Sequence, residues 1–416
     1  MLNNQLKHTI NLLIFSFFTT ILLIRKSYYI PPLILLLIAI FFIAKFHKQI
    51  DIPNKIKIYS MVCISYSLLA LFIAIIHNDP IPSSFKAETF AALTVPIIIL
   101  FSYTNLNLKI IALSLSSATI LAGCKAIYDK FVLGLERALS ESAVHVVITG
   151  GIVMTMAMLC CAISIYYLSQ KHYKNAIVTG FAAIMGVLAS ILTGSRGSWL
   201  VFPFIIILLF IVYWKSLKKA IPIIGICLIS GITILALSPD TGISKRYHQA
   251  IYDITHYAEQ TEKTTSIGMR FELWKSAWYG FLEKPILGWG KAGMFEAKKQ
   301  QVEQNIIIPY TLSPHLTHAH NQFLEQMFFR GLLGLLVLLA ILFIPLIHFI
   351  NSFRQTMSSY EKLISLLGII NILTFLSYNM SDVFLTIKES SMFYFLVNAI
   401  IYAMLYHNKK TAMYKE

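Results

Sequence analysis

Charge is what this sequence has least of. Asp, Glu, Lys and Arg together make up 13% of 416 residues, while hydrophobic residues reach 57% and mean hydropathy is +0.70. An ordinary soluble domain carries about 25% charged residues, so this balance excludes one. Cysteine is sparse as well. The five cysteines, Cys63, Cys124, Cys160, Cys161 and Cys227, show no CxxC spacing and fall inside apolar stretches. That excludes a disulfide scaffold or a zinc ribbon and leaves small packing residues. HExxH and DxD are also absent, as are internal repeats and low-complexity tracts. The inverted-repeat signature of many secondary transporters is therefore missing.

What is present is a succession of apolar segments. A hydrocarbon core of roughly 30 Å needs ~20 apolar residues per helix, and segments of that kind recur along the whole chain. Twelve are expected, at 9–24, 30–44, 58–76, 89–106, 109–127, 144–168, 176–193, 198–214, 221–237, 331–350, 362–380 and 391–406. The expected fold is thus all-α, a polytopic helical integral membrane protein. The first segment lacks a small-residue cleavage site and reads as a helix that stays in the membrane.

The excess of 34 Lys and Arg over 19 Asp and Glu could suggest a nucleic-acid partner, but its placement argues for topology. Lys and Arg of short loops are retained on the cytoplasmic side. With the N-terminus inside, the cytoplasmic segments hold Lys45, Lys48, Lys55, Lys57, Lys171, Lys174 and others, twice as many basic residues as the short outer loops. Arg25, Lys26, Lys86, Lys125, Lys130, Arg137, Arg196 and Lys388 fall on the outer side. Both termini are then cytoplasmic, and the one long loop, 238–330, lies outside. Three regions follow: helices in 1–237, an outer loop domain in 238–330, and helices plus a cytoplasmic tail in 331–416.

Inside the long loop, SPDTG at 238–242 ends an apolar span with Pro239 and Gly242. The stretch RFELWKSAWYGFLEKP, 270–285, repeats Phe271, Trp274, Trp278 and Phe281 at helical spacing. It reads as an amphipathic helix lying on the outer leaflet. KPILGWGKAG then forms a turn. The loop ends in THAHNQFLEQ, with His315, His318 and His320 directly before an apolar run.

Three places could carry chemistry. Arg196, in LTGSRGSWL, lies between Gly194 and Gly197 at the outer edge of the bilayer. A permanently charged guanidinium there suits a lipid-linked phosphate, and equally a snorkelling contact with lipid headgroups. Arg270 sits close to a helix N-terminus, where free amides favour an anion. The histidines could bind zinc, hold structure by hydrogen bonds, or take a proton from a hydroxyl. Trp199, Trp274, Trp278 and Trp289 fit an interfacial belt better than a sugar-stacking role.

His320-Asn321, nine residues, then Gly331 and Gly334, together with Arg270-x3-Trp274 and the following KPILGWG, resemble the O-antigen ligase family and its relatives, the O-antigen polymerases. The resemblance covers most of the chain. It implies a GT-C-like glycosyltransferase of the bacterial inner membrane, active on the periplasmic face without metal, nucleotide or other cofactor. Its partners would be an undecaprenyl-pyrophosphate-linked O-antigen donor, a lipid A core acceptor and the bilayer, with no nucleic acid. By the same resemblance Arg196 and Arg270 would hold the pyrophosphate and His320 would be the catalytic base. Asn321, His318, Arg137, Asp382 and Lys388 match positions expected to contact substrate. A polymerase shares donor and chemistry and differs in acceptor, and a protein-glycosylating ligase is compatible with the same motifs. A lipid-linked-sugar flippase would instead line a cavity with charges inside the spans, which here are almost free of them.

Overall fold

The computed structural model describes residues 4–80, 86–141, 145–217, 243–259 and 262–413. The first three helices are α1 (Asn4–Ile21), α2 (Ile30–Phe46) and α3 (Asn54–Ile76). α4 (Thr89–Ser102), α5 (Leu108–Ile127), α6 (Val146–Ser169), α7 (Tyr173–Leu192) and α8 (Phe202–Val212) follow. In the 238–330 segment lie α9 (Ile243–Ala258), α10 (Ser266–Glu283) and α11 (Met294–Glu303), and α12 (Gln322–Gln355), α13 (Ser359–Ser381) and α14 (Lys388–Met413) follow. No strand occurs among the described residues. The protein is an all-helical, polytopic membrane protein. Among the described residues, eight helices are long and apolar enough to cross a membrane, and two more apolar helices, over Thr89–Ser102 and Arg196–Val212, are shorter. Every expected span except 221–237 falls on a helix; that span, Cys227 and the 238–242 break lie outside the described residues.

Local chemistry explains several helix starts. The Asn107 side chain accepts from the Lys109 amide at 2.9 Å to cap α5, the Thr265 hydroxyl accepts from Gly268 to cap α10, and Ser358 caps α13. α2 opens with Pro31 and Pro32, at positions where the missing amide would have had no helical partner. α6, α13 and α14 are the most buried of the long helices, with α6 against α7 and α13, and α14 against α4 and α13. Among their buried polar residues, Asn371 donates to Asn398 at 3.2 Å and Thr155 to Thr374 at 3.2 Å, while both amide atoms of Asn379 are buried without a partner among the described residues.

α12 has 34 residues, ~51 Å at 1.5 Å per residue, which exceeds a ~30 Å hydrocarbon core. It bends at Gly331, whose φ of 61° and ψ of −154° are not helical. The KPILGWG turn docks into this bend through its backbone. Leu332 N donates to Pro285 O at 2.7 Å, Trp289 N to Phe328 O at 2.9 Å and Gly290 N to Phe329 O at 3.0 Å. Two motifs far apart in sequence are therefore one structural joint. Beside it Arg330 donates to Glu88 at 2.6 Å and to Gln326 at 2.8 Å, with both charged side chains buried. The two residues of this charge pair stand one position before the expected spans 89–106 and 331–350.

α10 forms as expected, but its packed face is not the aromatic one. Met269, Glu272, Leu273, Ser276, Ala277 and Gly280 are buried, while Trp278 and Leu282 remain exposed. A Cβ at Gly280 would collide with the Phe328 ring. Close approach to α12 demands small residues, which leaves the aromatic stripe to loops and surroundings.

Candidate active site

The loop carrying Arg196 is held from below by α6. Ser195 Oγ donates to Val147 O at 2.9 Å and Ser190 Oγ to Gly150 O at 2.9 Å. The missing side chain of Gly197 lets the loop touch Ser381 at the end of α13. Arg270, in the second turn of α10, donates from Nη1 to Ser381 O at 3.3 Å. Arg137 donates from Nε to Thr193 O at 2.8 Å. The three guanidinium-bearing residues thereby converge on one cavity of about 460 Å³, which Glu136, Ser381 and Asp382 also line. Three permanent cations against two carboxylates leave the cavity electropositive, the charge balance that an anionic ligand needs.

The α10 N-terminus contributes less than expected. The Ile267 amide already donates to Asp253 at 3.3 Å and the Gly268 amide to Thr265. Asp253 itself is buried there. An anion at this cavity would therefore meet guanidinium groups rather than the Ile267 and Gly268 amides.

Asp382 joins the cavity to the histidines. Its Oδ1 accepts from the Val383 amide at 2.8 Å and lies 3.5 Å from His320 Nδ1 and 3.7 Å from His318 Nε2. Burial pushes this carboxyl up, but the contact with His320, the Val383 amide and the nearby His318 outweigh it and hold the group below its ordinary value. The two imidazole rings lie 4.2 Å apart, centroid to centroid. Burial, with His320 next to it, pushes His318 down to about 4 despite the Asp382 charge. His318 is thus neutral near pH 7 and a weak base. His320 Nδ1 is buried although the side chain is 28% exposed, and the ring turns Nδ1 toward Asp382. His320 lines neither this cavity nor the small one beneath the loop; it reaches the larger one through Asp382.

His318, His320 and Asp382 each present a ligand atom within 4.8 Å of the others, so this set could also hold a divalent ion. In sequence the nearest carboxylate to the histidines is Glu325. The folded chain supplies Asp382 instead.

The remaining expected positions divide. The Asn321 carbonyl oxygen accepts from the Phe323 and Leu324 amides and its amide donates to Met380 O, so both ends of the side chain cap and tether α12. Lys388 opens α14 and does not line the cavity. Trp274 Nε1 donates to Ala319 O at 2.9 Å, and Trp289 Nε1 donates to Gly280 O at 3.1 Å beneath the Lys284 ammonium. These two indoles hold structure.

Residues that sequence reasoning missed lie under the histidine loop. Lys298 Nζ donates to Leu316 O at 2.6 Å, and burial pushes this ammonium down to about 8. Glu272 accepts from Tyr257 Oη and from the Ile308 amide, and Ser276 pairs with Gln301. Polar residues spaced along the inner face of α10 were the available signal. A cavity of about 20 Å³ beside Lys298, His318 and Glu325 has room for about one water.

A bundle of apolar helices thus carries an arginine-lined cavity and a histidine–carboxylate pair at one end. Comparison with known proteins gives its family. Residues 180–339 match the family model described as O-antigen ligase. An uncharacterized protein of Haemophilus influenzae is 32% identical over 331 residues, covering 79% of this chain and 82% of that protein. The O-antigen ligase of Escherichia coli is 26% identical over 190 residues, 45% of this chain and 44% of that one. The chain belongs to the O-antigen ligase family.

Proposed function

We propose that this protein transfers O-antigen polysaccharide from undecaprenyl pyrophosphate to the lipid A core, on the periplasmic face of the inner membrane. The observation that carries this reading is the convergence of Arg137, Arg196 and Arg270 on a cavity whose wall, Asp382, also contacts His320. A glycosyl pyrophosphate brings its own leaving group. The chain has to stabilise charge on the departing phosphate and deprotonate the incoming hydroxyl.

Arg196 and Arg270 hold the pyrophosphate, with Arg137 beside them. Asp382 fixes the His320 ring through Nδ1 and stabilises the imidazolium that forms when Nε2 takes the acceptor proton. The acceptor oxygen attacks the anomeric carbon as the pyrophosphate leaves, and direct displacement inverts that centre. Guanidinium groups do the work a divalent ion does elsewhere.

The test uses purified protein, an undecaprenyl-pyrophosphate donor and a lipid A core acceptor. The Arg196→Ala, Arg270→Ala double variant should lose donor binding and turnover, Arg270→Lys should recover only part of the loss, and EDTA should change nothing. Full transfer by the double variant refutes the clamp. Inactivation by EDTA with rescue by a divalent ion assigns His318, His320 and Asp382 to a metal and refutes the metal-free mechanism.

A further inference from the structure

His320 has a φ of 49°, in the left-handed region that a residue with a Cβ adopts only when its surroundings impose it. The surroundings are visible. On the side toward the N-terminus, the Ala319 amide donates to Glu325 Oε2 at 2.8 Å, and the Ala319 carbonyl, which shares a peptide plane with the His320 nitrogen, accepts from Trp274 Nε1 at 2.9 Å. On the other side, Asn321 is locked as the cap of α12. Ala319 and Glu325 are buried, and Trp274 is half-buried. The two gripping side chains come from different elements, α10 and the first turn of α12. Neither touches the arginine cavity.

We infer that Glu325 and Trp274 are positioning residues that grip Ala319 and so force the left-handed backbone which turns the His320 ring onto Asp382. The inference rests on the reading of His320 as the base. In this role Glu325 acts as a hydrogen-bond acceptor, and neither its charge nor a proton on it is required. A base misplaced by about 1 Å loses on the order of 100-fold in rate, so loosening one grip should cost about 10- to 100-fold in kcat while the donor KM stays put. A merely structural role would lower the amount of folded protein and leave kcat per folded molecule unchanged.

Trp274→Phe removes the N–H and keeps a ring, Glu325→Leu removes the acceptor, and Glu325→Gln keeps a carbonyl oxygen in place of Oε2. Full-length protein is measured two ways: kcat and donor KM for transfer, and hydrogen exchange of the segment spanning Ala319 and His320, which needs no activity. The expected result is lower kcat at unchanged KM and faster exchange for Trp274→Phe and Glu325→Leu, a combined effect smaller than the product of the two, and recovery in Glu325→Gln. Glu325→Gln as impaired as Glu325→Leu would overturn the inference, because charge or a proton would then be what matters. Normal kcat in both grip variants would also overturn it. Failure of the underlying reading has a different signature: an active His320→Ala protein, whatever the exchange experiment shows.

Discussion

Gly331→Ala probes the joint at which the KPILGWG turn meets α12. Its φ and ψ lie in a region that essentially only glycine occupies, so an alanine costs about 1–3 kcal/mol of backbone strain. Space is the second cost. A Cβ there would stand inside van der Waals contact of the Ile286 carbonyl and 2.7 Å from Leu287 N, and backbone atoms cannot swing aside as a flexible side chain can. Relief requires the KPILGWG turn to retreat, which threatens the hydrogen bonds from Leu332, Trp289 and Gly290. At about 0.5–1.5 kcal/mol each, their loss brings the total to roughly 2.5–7.5 kcal/mol. Gly134 supplies the control: its φ is 67°, but nothing lies within 4 Å of an added Cβ. Gly134→Ala should therefore cost only about 1–2 kcal/mol. Thermal inactivation in detergent and hydrogen exchange across residues 284–292 read the difference. Gly331→Ala should accelerate both, with the exchange effect confined to the joint. Equal behaviour of the two variants would refute the claim that backbone contact at Gly331 holds the joint together.

Glu88→Gln should destabilise the protein by about 3–5 kcal/mol, because it leaves Arg330 buried without its counter-charge. Pairing it with Arg330→Met should recover most of that loss in the same thermal assay, and no recovery would show that the pair is not the cause. His318 is held neutral by the fold down to about pH 4, whereas an unfolded histidine gains its proton near 6.5. The unfolded state thus binds more protons in that window, so the stability from the neutral ring is fully present above about 6.5 and is lost as pH falls toward 4. Faster hydrogen exchange in the 311–320 loop between those values should report it and should be flattened in His318→Gln. For orientation, Gln304→Cys in an otherwise cysteine-free protein should react with an impermeant maleimide from the periplasmic side, and Met357→Cys, at a site 91% exposed in the turn after α12, should not. The opposite pattern would reverse the topology. In cells, loss of a ligase should leave undecaprenyl-linked polymer intact, whereas a single repeat unit on the core would indicate a polymerase.

The membrane helices were legible in the sequence because ~20-residue apolar runs and basic loops are local signals. So were Arg270, Trp274, His320 and the Gly331–Gly334 pair as members of motifs. Their mutual roles were not. Trp274 reads as an interfacial aromatic until the Ala319 carbonyl is found beneath it. Asp382 is far from His320 in sequence, and only the packing of α13 beside the start of α12 brings them together. Arg330 and Glu88 are 242 residues apart, and no periodicity reports such a pair. The aromatic spacing of α10 located the helix but not the face that packs on α12, where contact selects small residues such as Gly280. The family resemblance made Asn321 an expected substrate contact. Its position as N-cap, with both ends of the amide engaged, accounts for the residue type by itself.

The most direct measurement is transfer by purified His320→Ala protein, supplied with an undecaprenyl-pyrophosphate O-antigen donor and a lipid A core acceptor, with donor binding measured in parallel. General-base catalysis contributes ~100- to 10,000-fold, so kcat should fall by that factor while donor affinity, carried by Arg196 and Arg270, stays within about twofold of the parent. Near-normal turnover in His320→Ala at equal folding would contradict the account and remove the histidine–aspartate pair from the reaction.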